Sequence, residues 1–112
     1  MEDIHTKIIA TIGPASLDFN IFQQLVDAGI DYIRINTAYG NEEQYTTILD
    51  NLAKAKKQKS VRAIFDLKGE ETIAFAKKNN ISMFALSFAE TKEQITKMRL
   101  LLPESFLISK IE

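Results

Sequence analysis

Arg34 and Asn36 stand two residues apart at the end of one apolar run, Tyr32 to Ile35, and Lys110 and Glu112 stand two apart at the end of another, Phe106 to Ile111. Residues two apart on a strand point to the same face, so each pair presents its polar groups together. Three more apolar runs end in polar or glycine-containing clusters. Lys7 to Ile12 ends in Gly13-Pro14-Ala15-Ser16, Val61 to Phe65 in Asp66-Leu67-Lys68-Gly69, and Met83 to Leu86 in Ser87-Phe88. In a parallel α/β sheet the strand C-termini share one rim, where such folds place ligands. Five distant segments are thus expected to bring Arg, Lys, Asp, Glu and Asn to one place. That set suits phosphoryl transfer, which rests on positioning and on charge stabilisation by Arg, Lys and carboxylate-held metal ions. Arg34 interrupts an apolar strand, where an unpaired buried charge costs several kcal/mol. Its plainer role is a structural ion pair with Asp66 or Glu112. Lys68 and His5 read as surface residues.

The elements that must position these groups are legible from the pattern. Ile8-Ile9-Ala10-Thr11-Ile12 is continuously apolar or β-branched, which predicts a strand covered on both faces. A helix is expected from Asp18 to Ala28, with Ile21, Phe22, Leu25 and Val26 as its apolar stripe and Gly29 as its stop. Its N-terminus, following Gly13-Pro14-Ala15-Ser16, would offer free amides to an anion. A second helix follows Asn41, a good N-cap, with Glu42 and Glu43 at the positive dipole end. Tyr45, Ile48, Leu49 and Leu52 keep helical spacing. Lys54, Lys56, Lys57 and Lys59 crowd its end and read as a solvated face. A short third helix is expected from about Glu71 to Asn79. A fourth opens on the capping box of Thr91 and Gln94, turns Ile95, Met98 and Leu102 inward, and ends before Pro103. The order is β-α-β-α-β-α-β-α-β, with right-handed crossovers and a parallel sheet.

The 112 residues suggest a single domain, 1–112, with no linker or low-complexity tract. Apolar residues make up 46% and charged residues 26%, values of an ordinary globular protein. A net charge of −1 gives no global case for a nucleic-acid partner or an anionic membrane surface. No apolar run approaches the roughly 20 residues of a membrane span. The absence of cysteine excludes disulfides and thiolate zinc sites and, with the acidic start Met1-Glu2-Asp3, leads us to expect a cytoplasmic location. Five βα strands are too few to close an eight-unit barrel. The expected fold is a partial TIM barrel of five strands and four helices in barrel order 1-2-3-4-5, with an open flavodoxin-like order as the alternative. Open apolar edges predict self-association or a complementing half-barrel chain.

In order and wording these segments resemble the pyruvate kinase family. Thr6 through Ser16 is similar to its opening strand and loop, Asp31-Tyr32-Ile33-Arg34-Ile35-Asn36 with Gly40 to its second strand, Asp66-Leu67-Lys68-Gly69 to its third, Phe84-Ala85-Leu86-Ser87-Phe88 to its fourth and Ser109-Lys110-Ile111-Glu112 to its fifth. The resemblance implies transfer of a phosphoryl group between phosphoenolpyruvate and ADP with Mg²⁺ and, in many members, K⁺. It implies that Arg34 holds the transferring phosphate and that Ser87 and Phe88 help bind substrate. Lys110 would stabilise phosphoryl and enolate oxygens, Glu112 would bind Mg²⁺, and Asn36 and Asp66 would be K⁺ ligands.

The sequence also departs from that family. Ala38 stands where the family has a K⁺-binding Ser, and Tyr39 where it has His. Glu70-Glu71-Thr72-Ile73 replaces a Pro, an acid, an apolar residue and a catalytic Arg. The lid domain that follows the third strand is missing, since only Glu70 through Ser82 lie between Gly69 and Met83. The second Mg²⁺ carboxylate and the Thr that handles the enolate proton lie beyond the fifth strand in the family. Three readings stand open: a phosphoryl-transfer module inactive on its own, an anion-binding remnant without turnover, and a structural half-barrel.

Overall fold

The computed structural model describes residues 6–37, 40–68, 70–86 and 91–109. Five strands alternate with four helices: β1 Ile9–Ile12, α1 Phe19–Asp27, β2 Tyr32–Asn36, α2 Glu42–Lys54, β3 Arg62–Leu67, α3 Ile73–Lys78, β4 Met83–Leu86, α4 Lys92–Leu101 and β5 Phe106–Ser109. The strands form one parallel sheet in the order β1-β2-β3-β4-β5. This is barrel order, and the flavodoxin-like alternative does not hold.

The helices begin where the capping residues stand. Asp18 accepts from the amides of Asn20 and Ile21, Asn41 from Gln44 and Thr91 from Gln94. Gln44 and Gln94 return the bond to the cap amide, completing two capping boxes. Gly29 follows α1 at φ +102°, a left-handed conformation that favours glycine at a helix stop. Helix α3 is shorter than its pattern, starting at Ile73 after a turn, and Pro14–Ser16 forms a 3-10 turn that the pattern did not announce. Ile21, counted in the apolar stripe of α1, is 42% exposed, while Phe19 packs against the core instead.

Strand pleat sorts side chains onto two faces. Ile12, Ile33, Ile35, Phe65, Leu67, Phe84 and Leu86 face a single core that all four helices cover with Phe22, Val26, Tyr45, Ile48, Ile73, Ala76, Met98 and Leu102. Phe22, Phe65 and Phe84 are wholly buried, each contributing on the order of 1.5–3 kcal/mol. The opposite face carries Ile9, Thr11, Arg34, Asn36, Ile64, Asp66, Met83, Ala85, Phe106 and Ile108 by register. The described helices pack on the other side; the centre of this face is nonetheless buried, with Ile64 at 3% and Met83 at 6%, and exposure lies at its edges, where Ile9 and Phe106 are 51% and 60% exposed. The expectation that β1 is covered on both faces therefore fails among the described residues. It is an edge strand, packed on one side only.

The N-terminal ends of the strands are tied by Asp31. Its amide donates to the Ile8 carbonyl at 2.9 Å, and its carboxylate accepts from the Ile8 amide at 2.8 Å and from Lys59 Nζ at 2.9 Å. The bond from Lys59, aided by that from Ile8, holds the carboxyl below the usual aspartate value of 3.8.

Candidate functional site

At the opposite end of the sheet the pleat places Arg34 and Asn36 on the helix-free face of β2, with Thr11 and Asp66 as their cross-strand neighbours on β1 and β3. The Arg34 guanidinium donates through Nη2 to the Asp66 carboxylate, and Nη1 lies 3.2 Å from Thr11 Oγ1. Asp66 is buried, its side chain only 5% exposed, whereas that of Arg34 is 33% exposed. A carboxylate stripped of water in this way needs a countercharge, which Arg34 supplies. The Asp66 carbonyl accepts from both the amide and the hydroxyl of Thr37, at 3.1 and 3.0 Å, so β2 and β3 are locked just beyond the charged pair.

At the same rim, but toward the helix-covered side of the sheet, a cavity of about 500 Å³ opens between the ends of β1 and β2 and the first turns of α2, lined by Thr11, Ile12, Ile35, Asn36, Tyr45 and Ile48 among others but not by Arg34 or Asp66. Tyr45 donates its hydroxyl to the Thr37 carbonyl at 3.2 Å. Burial, and secondarily the charge of Glu42, push its phenol above the ordinary value, which keeps it a neutral donor. The Tyr45 ring meets Phe65 and Phe75 edge-on at 5.9 Å, fixing this wall of the cavity from the core side.

The sequence expectations fare unevenly. Arg34, Asn36 and Asp66 come together. Ser87, Phe88, Lys110 and Glu112 lie outside the described residues, as do His5, Ala38, Tyr39 and Gly69. Lys68 is exposed as expected. The proposed anion nest at the start of α1 fails, because Asp18 already accepts from its amides at 2.8 and 3.2 Å and places a negative charge there. Two contributors were missed: Thr11, as a partner of Arg34, and Tyr45, as part of the cavity. Thr11 shares a face with Arg34 only through the β1–β2 register. Tyr45 read simply as one member of a helical apolar stripe.

Among the described residues no group of three or more His, Cys, Asp or Glu is placed to hold a metal ion. The implied Mg²⁺ ligand Glu112 falls outside them. The implied K⁺ pair, Asn36 and Asp66, can be tested. The two are cross-strand neighbours. Yet the Asp66 carboxylate already carries the Arg34 guanidinium, its carbonyl takes two donors from Thr37, and Ala38 brings no side-chain oxygen. A hard cation needs several oxygen donors, and this set does not fit one.

The sequence matches the barrel domain of pyruvate kinase over residues 4–73, more than half of the chain. The chain belongs to the pyruvate kinase family. It is 39% identical over 69 residues to the pyruvate kinase of Eimeria tenella, an alignment that takes in 59% of this chain and 13% of that protein. It is 37% identical over 68 residues to that of Sporosarcina psychrophila, covering 59% and 12%, and 38% identical over 65 residues to that of Aeropyrum pernix, covering 56% and 14%. The alignments thus span 12 to 14% of the length of these relatives. The family match takes in β1, β2 and β3 and ends at the first residue of α3. The segments Phe84 to Phe88 and Ser109 to Glu112 lie beyond it.

Proposed function

We propose that this chain is a phosphate-binding pyruvate kinase-type module that holds a phosphoenolpyruvate-class anion at Arg34 without turning it over on its own. The carrying observation is that a guanidinium at the C-terminal rim, seated on a buried carboxylate, keeps a third of its side chain exposed. Such a group offers paired donors to a phosphate. The cavity at the same rim, lined by Thr11 and Asn36 as well as by core residues, suits the organic part of a ligand, the ADP of family chemistry included. Lys110 completes the reading as a further anion contact and Ser87 and Phe88 as substrate-binding residues, with Glu112 as holder of a divalent ion that would bridge substrate oxygens. Cytoplasmic location follows from the same reading. No described helix is long and apolar enough to cross a membrane.

Internal departures argue against turnover. Ile73, at the position of the family's catalytic Arg, is 8% exposed and belongs to the core, so no cation stands there. No lid interrupts the path from Gly69 to β4. Loss of one charge-stabilising group commonly costs ~10²–10³ in rate, and loss of a lid leaves water in the site.

Calorimetric titration of the purified chain with phosphoenolpyruvate and with inorganic phosphate tests this. Millimolar binding that weakens with salt, vanishes in Arg34→Met and is accompanied by no pyruvate in a coupled assay with ADP, Mg²⁺ and K⁺ is the expected result. No binding at millimolar levels leaves only a structural half-barrel. Pyruvate formation abolished by Lys110→Ala makes the chain an enzyme in its own right.

A further inference from the structure

We infer that Arg34 is the resident cation of this rim: it occupies the Asp66 carboxylate in place of a monovalent metal ion, and Thr11 and Asp66 act as positioning residues that aim it at an incoming anion. The inference deepens the binding reading above and contradicts the K⁺ dependence that the family resemblance implies.

Four observations carry it. Asp66 is buried and its carboxylate is paired with Arg34. A second positive ion on that carboxylate would sit beside the guanidinium, at a separation where like charges in a partly desolvated site repel strongly. The Asp66 carbonyl is engaged by the amide and hydroxyl of Thr37. Ala38 supplies no oxygen from its side chain. The guanidinium is also held at two points, Nη2 by Asp66 on β3 and Nη1 by Thr11 on β1. Contacts from both neighbouring strands restrain the planar group, while a third of the side chain stays exposed. A long, rotamer-rich side chain ordered before the ligand arrives loses less entropy on binding.

Potassium sensitivity decides the cation part. Phosphoenolpyruvate is titrated in KCl and in tetramethylammonium chloride at equal ionic strength, and the thermal midpoint is recorded in both salts without ligand. The affinities should agree within about twofold and the midpoints should coincide, because a cation bound only by the folded chain would raise the midpoint. A tenfold tightening in KCl, or a K⁺-specific rise in midpoint that disappears in Asp66→Asn, overturns the inference. If phosphoenolpyruvate binds in neither salt, the binding reading falls, while the midpoints still decide the cation question. The positioning part is tested with Thr11→Val, at an exposed position where folding is safe and charge is unchanged. Phosphoenolpyruvate should bind about threefold more weakly and the Arg34 guanidinium NMR signals should broaden, with Thr11→Ser restoring both. Unchanged affinity and unchanged signals in Thr11→Val refute the two-point clamp.

Discussion

Arg34 is both a structural and a functional residue, and the two roles are separable. Its bond to Asp66 neutralises a carboxylate whose side chain is only 5% exposed, and a third of its own side chain stays exposed. Arg34→Met should therefore destabilise the chain by about 1–3 kcal/mol in urea unfolding, below the full buried-pair figure because the guanidinium is partly hydrated. Adding Asp66→Asn should recover part of that loss, since the stranded charge is then gone. A double variant no more stable than Arg34→Met would show that the pair does not govern stability. Asp31, at the other end of the sheet, makes a pH prediction. Its folded carboxyl titrates below 3.8, held down first by Lys59 and then by the Ile8 amide. Its contribution is therefore complete above that value and is lost as pH falls through the depressed folded value. Asp31→Asn should melt earlier than the wild type at neutral pH, and the gap should close below about pH 4. Parallel melting curves across that range would disprove the latch.

Among the elements, the entry to α2 bears most on the site, because it shapes one wall of the rim cavity that Thr11 and Asn36 also line. Gly40 has φ +85°, and a Cβ there would run into the Gln44 side-chain oxygen that caps the Asn41 amide. Gly40→Ala should cost ~1–2 kcal/mol for the left-handed backbone. Asn41→Ala should cost about 1 kcal/mol for the lost cap. Because both act on the same turn, their effects should combine to less than the sum, as a double-mutant cycle would measure. Strict additivity would mean that cap and turn are independent. Helix α4 is capped just as well, by Thr91, and is anchored by buried Met98 and Leu102, with Ile95 and Leu101 partly buried against the core.

For the whole molecule, the decisive feature is a sheet whose helix-free face is buried at its centre, at Ile64 and Met83, and exposed at both edges. All four helices lie on the other side. The helix-free side ends in exposed Ile9 on β1 and in Phe106 and Ile108 on β5. Exposed strand edges with apolar neighbours favour pairing with another chain. Sedimentation at tens of micromolar, a range that reports weak dimers, should show association that Phe106→Ser reduces. A well-behaved monomer under those conditions would rule the expectation out.

Much of this was present in the one-dimensional pattern, for physical reasons. Apolar runs separated by capped amphipathic stretches leave little choice but parallel βα units, and Asn41, Thr91 and Gly29 marked helix ends because capping is a local interaction. Arg34, Asn36 and Asp66 stood out because charge and amide groups at the ends of apolar strands are costly without a partner or a task. What the pattern could not supply was everything that depends on register and packing. Whether Arg34 pairs with Asp66 or with Glu112, that Thr11 reaches its second amino group, and that Asp31 clasps Ile8 are set by which residues the sheet lays side by side. The exposure of β1 is of the same kind. Ile8-Ile9-Ala10-Thr11-Ile12 has the composition of a central strand, but composition cannot tell a strand which neighbours it has. Likewise Asp18 was recognisable as the start of a helix, yet only the folded turn showed that its carboxylate takes the amides an anion would have used.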